Sequence, residues 1–210
     1  MSALVLGEAQ VVQHLPMADC IEAMERVLAA RARGEAEMPL RSVVRGSGSE
    51  GVLGLMPGYR GGAPALYALK AVCIFPANPR RGLDAHQGIV TLFDGETGQP
   101  TAVMNGSAIT RVRTAAVTAL ATRVLARDDA RTLAIIGAGV QAHAHLEALM
   151  LVRRFEDVRI FAPTTAHAQA LAASGRELGS AAVAVAASAR EAVDGADVVV
   201  TATNSSTPVV

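Results

Sequence analysis

Two cysteines, Cys20 and Cys73, are the only thiols in 210 residues, and neither belongs to a CxxC or a Cys/His spacing. Thiols this few exclude a disulfide-stapled secreted scaffold and fit a reducing cytoplasm. The five histidines are scattered, and His143 and His145, two apart on a predicted helix, cannot share a face, so no metal site is expected. Charge of either sign is not in excess: 19 basic side chains stand against 19 acidic ones. No global field therefore exists to attract nucleic acid or an anionic membrane. No apolar run approaches the roughly eighteen residues a membrane span needs. The stretch from Met1 to Val12 lacks a basic n-region, so no export leader is expected either. A small-molecule partner is what these exclusions leave.

Hydrophobic residues make up 51% of the chain and charged residues 18%, a globular composition long enough for one or two domains with a substantial core. The most informative stretch is Arg131-Thr132-Leu133-Ala134-Ile135-Ile136-Gly137-Ala138-Gly139-Val140-Gln141, where an apolar strand runs into a glycine-paired turn and then a helix. Gly137 permits the tight turn, Gly139 lets backbone N–H groups approach phosphates, and Ala142 fills the third, close-packing position. The opening helix directs its positive dipole end at the same place. An ordinary strand–turn–helix corner shares this outline, and context favours dinucleotide binding. Helical positions Val140, Leu146, Leu149 and Met150 follow at once, and a second strand, Val158-Arg159-Ile160-Phe161, arrives after a βαβ-sized interval.

Around this turn the chain reads in two styles. A helix begins after Leu15-Pro16, with apolar positions Ile21, Met24, Val27 and Leu28, and ends near Gly34. Strand-like runs follow at Leu40 to Val44, Val52 to Met56, Leu66 to Phe75, Gly88 to Phe93 and Pro100 to Met104, with Asp94 to Gly98 as a hairpin turn. Successive strands without helices between them predict antiparallel pairing. An alanine-rich helix spans Ser107 to about Arg127, and beyond it strands (131–136, 157–162, 181–187, 197–202) alternate with helices (139–151, 165–176, 188–193). The expected class is α/β: an α+β domain over residues 1–126 and a parallel, doubly wound sheet of the Rossmann type over 127–210, incomplete at its C-terminal side because only four of the usual six strands are present.

Several residues are candidates for chemistry. Lys70 interrupts Ala65 to Phe75, where every other residue is apolar. Such a run suggests a strand covered on both faces, in which an ammonium would bind a substrate carboxylate or move a proton; an edge lysine snorkelling to solvent fits the same pattern. Arg41, Arg111 and Arg113 offer forks that suit carboxylate or phosphate, or plain surface charges. His86, in Asp84-Ala85-His86-Gln87-Gly88, either touches a ligand or ties its own loop. The second dinucleotide strand ends in Phe161-Ala162-Pro163-Thr164-Thr165 without the Asp or Glu that would hold an NAD ribose, while Asp157 lies at the wrong end. That leans slightly towards NADP and leaves NAD open. Thr203 either lines the cofactor or ends a strand.

Met38 to Arg41, the Lys70 strand, His86-Gln87-Gly88, Asp94 to Pro100, Ile109 to Ala116 and Gly137 to Ala142, in this order over nearly the whole chain, resemble the ornithine cyclodeaminase/mu-crystallin family. The resemblance implies a homodimer, with a first domain that holds substrate and partner and a second that holds NAD or NADP. It implies Arg41 and Lys70 as carboxylate ligands, with Lys70 also catalytic, and Arg113 beside carboxylate and cofactor. His86, Thr164 and Thr203 become cofactor contacts, and Gly137, Ala138, Gly139, Val140 and Gln141 the pyrophosphate turn. Pro163 stands where NADP-using relatives often carry arginine, and Ala85 where a serine or threonine is common. The family pattern continues past Val210, so an acidic residue acting on the substrate amine and a return segment to the first domain are expected outside this sequence. The implied activity is an NAD(P)-dependent cyclodeaminase converting ornithine to proline and ammonia. A ketimine or Δ1-pyrroline-2-carboxylate reductase, an amino-acid dehydrogenase, and a non-catalytic cofactor-dependent binder of the mu-crystallin type are the alternatives.

Overall fold

The computed structural model describes residues 3–179 and 182–210, so the strand expected over 181–187 begins outside the described residues. By backbone proximity the chain forms two compact units, Met1–Pro16 with Glu25–Thr110 and Met17–Met24 with Arg111–Val210. This division falls inside the long helix, at Thr110, and not at its end.

Elements run in the order β1 (Leu4–Leu6), α1 (Glu8–His14), α2 (Met17–Ala32), β2 (Ala36–Glu37), β3 (Ser42–Arg45), β4 (Val52–Arg60), β5 (Leu66–Ile74), β6 (His86–Asp94), β7 (Pro100–Asn105) and α3 (Gly106–Leu125), with a short 3₁₀ turn at Asn78–Arg81. The strands make one sheet, ordered β1-β7-β6-β5-β4-β2, with β3 also paired to β4. Pairing along β4 to β7 is antiparallel, as runs without intervening helices require; β1 alone adds in parallel, to β7. The turn between β6 and β7 is closed by one side chain. Asp94 Oδ1 accepts from the Thr97 N–H and hydroxyl, each at 2.7 Å, and Gly98 takes the left-handed conformation, φ +71°, that lets β7 return.

The expectation that β5 is covered on both faces needs correcting. Only Val72 of this strand is buried, and its other residues are half-buried or, for Tyr67, exposed. Apolarity here reflects a central antiparallel strand with partial cover, not a parallel one buried in a sandwich.

The second unit continues with β8 (Thr132–Ile136), α4 (Val140–Met150), β9 (Asp157–Phe161), α5 (Thr165–Glu177), β10 (Ala182–Val185), α6 (Ala189–Val193) and β11 (Val198–Thr201). Its sheet is wholly parallel in the order β10-β9-β8-β11, a doubly wound arrangement whose direction reverses at β8. Strand alternation sorts the core into two faces. Leu133 and Ile135 enter one cluster with Leu146, Leu149, Phe155, Ile160 and Leu171, while Ala134 and Ile136 meet Ala189 and Ala192 on the other. The first cluster is built on α4 and α5 and the second on α6, so β8 is the strand from which connections leave to opposite faces.

Asp197 locks the start of β11 to the start of β8. Its carboxylate accepts from the backbone N–H groups of Arg131 (2.8 Å) and Thr132 (2.9 Å) and from the Arg127 guanidinium. The two backbone bonds foremost, then the Arg127 charge, hold this carboxyl below the usual aspartate range. A carboxyl with a depressed native pKa stabilises the fold above its unfolded pKa and loses that contribution as pH falls through the native value. Asp197→Asn is therefore expected to lower the melting temperature at neutral pH, with variant and parent converging as pH is taken down through and below about 3.9. A gap that persists in acid would put the cause elsewhere.

Candidate functional site

The reversal at β8 produces a crevice at the carboxyl ends of the strands, and the glycine turn sits in it. Gly137 N–H donates to the Phe161 carbonyl of the β9 side at 2.8 Å, and the Ala202 N–H, just after β11, donates to the Ile136 carbonyl at 2.8 Å. The turn is thus bound on both flanks. Gly137 has φ +112°, and a Cβ built there would lie 2.2 Å from the Ala202 carbonyl oxygen. Only glycine fits this position, for conformation and for space.

Gly139 is different. It is the N-cap of α4 with φ −87° and ψ −173°, extended backbone open to any residue, and a Cβ added there meets nothing within 4 Å. Its backbone is undemanding; what its missing side chain leaves is room above the first turn of α4. No side chain caps this helix. The N–H groups of its first turn are the ones an intrahelical ladder cannot satisfy, and an anion is the group they suit. The Gln141 side-chain oxygen is buried at the same turn with no partner among the described residues. An unpaired buried acceptor costs about 1–3 kcal/mol, which a ligand hydroxyl or amide would relieve. Ala142, fully buried, lets α4 pack closely on the sheet. A dinucleotide fits this set on three counts: open space and unpaired N–H groups for its diphosphate, and an orphaned acceptor for one of its hydroxyl or amide groups.

The turn is braced from behind by His145, for which the sequence carries no signal of such a role. His145, 7% exposed, donates from Nδ1 to the Gln141 carbonyl at 2.7 Å, and its Nε2 meets the Thr118 hydroxyl of α3 at 3.1 Å. It therefore fixes the carbonyl side of the first α4 turn and leaves the N–H side free. The separation of 27 residues between Thr118 and His145 is why local pattern could not reveal this.

Gly139→Val follows as a test. With ordinary φ and ψ and open space, the substitution should leave the melting temperature within about 2 °C of the parent, while filling the room a phosphate would need and weakening nucleotide binding at least tenfold, on the order of 1.4 kcal/mol. Unchanged affinity in a titration would mean that phosphates do not approach this turn.

Other candidates fall as follows. Thr164 is the exposed N-cap of α5, its hydroxyl uncommitted to the helix, and Thr203 lies in the coil after β11, its hydroxyl accepting from the Ser205 N–H at 3.1 Å. Both stand at the carboxyl edge of the sheet. Asp157 is at the opposite, amino edge, bonded to Arg159 at 2.8 Å. Arg113, half-buried on α3, lies close enough to Cys20 for its charge to act on the thiol; burial pushes that thiol above its ordinary range, and Arg113 offsets this in part. Cys20 is 2% exposed and serves as core.

In the first unit, Lys70 is the only lysine of the chain, every other basic side chain except histidine being arginine. It pairs with Met56 on one side and Val90 on the other. Arg41 is exposed and lies just before β3, which starts at Ser42, two residues after the expected Leu40. Ser42 pairs with Leu55, and Met56 with Lys70, so the register carried one residue back sets Arg41 in the row of Lys70, across β4. Two strand spacings put their backbones about 10 Å apart, and a row of a ladder shares one face. His86 opens β6, exposed, and its carbonyl accepts from the Ser107 hydroxyl at the start of α3. The preceding loop is held by Asn78 and Gln87 amides, each donating to the Asp84 carbonyl at 3.1 Å.

A larger recess of about 580 Å³ lies at the far end of α4, lined by residues that include Arg153, Arg154, Phe155 and Leu178. It is at the amino edge of the sheet, where open parallel sheets do not take ligands, and Arg153 spends its guanidinium on the carbonyls of Val152, Arg123 and Ala126. Among the described residues no cluster of histidine, cysteine and carboxylate side chains could hold a metal ion, and no helix is long and apolar enough to cross a membrane.

Comparison with known proteins gives a consistent result. The chain is 36% identical over 208 residues to ketimine reductase mu-crystallin of Rattus norvegicus, covering 97% of this chain and 65% of that protein. Its backbone matches that of Δ1-pyrroline-2-carboxylate reductase of Thermococcus litoralis in complex with NADH and L-proline, with a TM-score of 0.92, 34% identity, and coverage of 99% of this chain and 64% of that one. It also matches a lysine cyclodeaminase that recognises L-lysine, L-ornithine and L-2,4-diaminobutyric acid, with a TM-score of 0.84, 36% identity, and coverage of 100% and 63%. The chain spans between about half and two thirds of the length of the curated relatives it matches. A family model matches residues 1–210 from end to end, and with it the chain belongs to the ornithine cyclodeaminase/mu-crystallin family.

Proposed function

We propose that this chain is part of an NAD(P)-dependent oxidoreductase acting at the bond between Cα and nitrogen of a small carboxylate substrate, and that it reduces an imine of the ketimine or Δ1-pyrroline-2-carboxylate type. The observation that carries this reading is the open space over Gly139 at the reversal of a parallel sheet. The reductase identity of relatives such as the rat and Thermococcus proteins supports the choice of reaction. When bound, the nicotinamide supplies a hydride donor or acceptor.

The chain's own residues divide the rest of the work. Gly137, Ala138, Gly139, Val140 and Gln141 receive the diphosphate on backbone N–H groups, with Thr164, Thr203 and His86 as further nucleotide contacts. Lys70 and Arg41, in one row of the sheet, neutralise the substrate carboxylate and orient it, and Arg113 adds a guanidinium for carboxylate or nucleotide. Lys70 is also a proton source for the nitrogen of the reduced imine. Residues 1–126 in this reading supply substrate and homodimer contacts, and residues 127–210 the nucleotide site.

Cyclodeamination of ornithine or a related diamino acid is the second reading, favoured by the likeness to lysine cyclodeaminase at 36% identity. The two are separated by one assay. Net loss of NAD(P)H absorbance with a cyclic imine carboxylate is the expected result. Proline formed from ornithine with no net change in NADH would transfer the assignment to the cyclodeaminase, and nucleotide binding with no turnover of either would favour the non-catalytic binder.

A further inference from the structure

Three basic side chains from three helices, Arg111 of α3, His143 of α4 and His167 of α5, line one cavity of about 430 Å³ together with Ala138, Gly139 and Val140 of the glycine turn. Residues 111, 143 and 167 are far apart in sequence, and only the fold assembles them. The diphosphate does not require them, because unpaired backbone N–H groups of α4 already suit it. Their N–H donors are left for a further anion.

The place where that anion would sit is defined by what the end of β9 lacks. A site for NAD needs a carboxylate there to accept from the adenosine ribose hydroxyls. Phe161 is instead followed by Ala162, Pro163, Thr164 and Thr165, and Asp157 is five residues' length of strand away, bonded to Arg159. His167 stands in the first turn of α5, its N–H donating to the Thr164 carbonyl at 3.1 Å, so its side chain departs from the chain beside the end of β9. It is exposed. Among the described residues neither Arg111 nor His167 has a side-chain hydrogen bond or ion pair, and His143 has only a 3.5 Å contact from Nδ1 to the Ser174 hydroxyl. These donors are available.

We propose that the site selects NADP(H) over NAD(H), with His167, Arg111 and His143 receiving the phosphate on the 2′ oxygen of the adenosine ribose. This rests on the dinucleotide reading above. In this chain the donors for such a phosphate come from α3, α4 and α5 and not from the end of β9. An arginine fork and two imidazole N–H groups are suited to a phosphate monoester, and an unpaired ribose hydroxyl offers them nothing comparable.

Calorimetric titration of the protein with NADP and with NAD tests this directly. NADP is expected to bind at least about tenfold more tightly, and the ratio of the two affinities should fall by about tenfold or more in His167→Ala and again in Arg111→Ala, as the loss of charge-assisted bonds to a phosphate requires. NAD binding as tight as NADP would overturn the inference while leaving the dinucleotide site standing. An NADP preference untouched by either substitution would overturn the assignment to these side chains, as would a variant that loses both nucleotides equally. Failure of the parent protein to bind either nucleotide would fell the dinucleotide reading itself.

Discussion

Gly137→Ala is expected to cost the protein about 3 kcal/mol or more of stability, because two penalties coincide. A residue with a Cβ pays for φ +112°, outside the regions open to L side chains, and the new carbon would lie 2.2 Å from the Ala202 carbonyl oxygen. Relief would mean moving the segment after β11, which is itself tied to Ile136 by the Ala202 N–H. A loss of this size corresponds to a drop of about 6–12 °C in melting temperature for a chain of this length. Nucleotide affinity should fall with it, since the same displacement opens the turn. Paired with Gly139→Val, which spares stability and removes binding, it separates the two glycines by function: one shapes the turn and the other makes room. Thermal melts of both variants check this, and a Gly137→Ala protein melting within about 2 °C of the parent would refute the steric account.

Lys70→Ala is expected to lower kcat/KM for an imine carboxylate by about 10- to 100-fold, the equivalent of losing one hydrogen bond to a charged group, about 1.5–3 kcal/mol. Nucleotide affinity, carried by the second unit's turn, should change little. Lys70→Arg should restore only part of the loss, because a planar guanidinium cannot take the place of a compact ammonium and does not release a proton near neutral pH. Steady-state kinetics with the three proteins distinguishes this from a structural role. Equal turnover by the parent and Lys70→Ala would remove this residue from the site.

Much of the second unit was legible because its elements announce themselves locally. Thr132–Ile136 is a short apolar run ending in glycine, and the helix and strand after it have the length and period of a βαβ unit. The hairpin at Asp94 was legible for the same reason, since the turn is made by residues two and three apart. Other elements have no local signal. β1 is three residues long and gains its identity only from pairing with Ala102–Met104, almost a hundred residues later. Lys70 is recognisable in the sequence as an anomaly, but the cover of its strand is not, because an apolar run reads alike in a buried parallel strand and in a half-covered antiparallel one.

The candidate site divides in the same way. The glycine turn and the missing carboxylate after β9 are properties of contiguous sequence. The row shared by Arg41 and Lys70 depends on strand register, and the meeting of Arg111, His143 and His167 depends on three helices reaching one crevice. His145 shows the point most plainly. As a histidine on an alanine-rich helix it carries no signal, yet its bonds to Gln141 and Thr118 hold the turn's carbonyl side in place.

The most direct test follows the backbone amides of the turn by two-dimensional nitrogen–proton NMR during titration with NADP and with NAD. The account predicts that the Gly139, Val140 and Gln141 amides move most, in saturable fashion, with His167 responding to NADP more than to NAD. Titration to saturation with those three amides unmoved would contradict it.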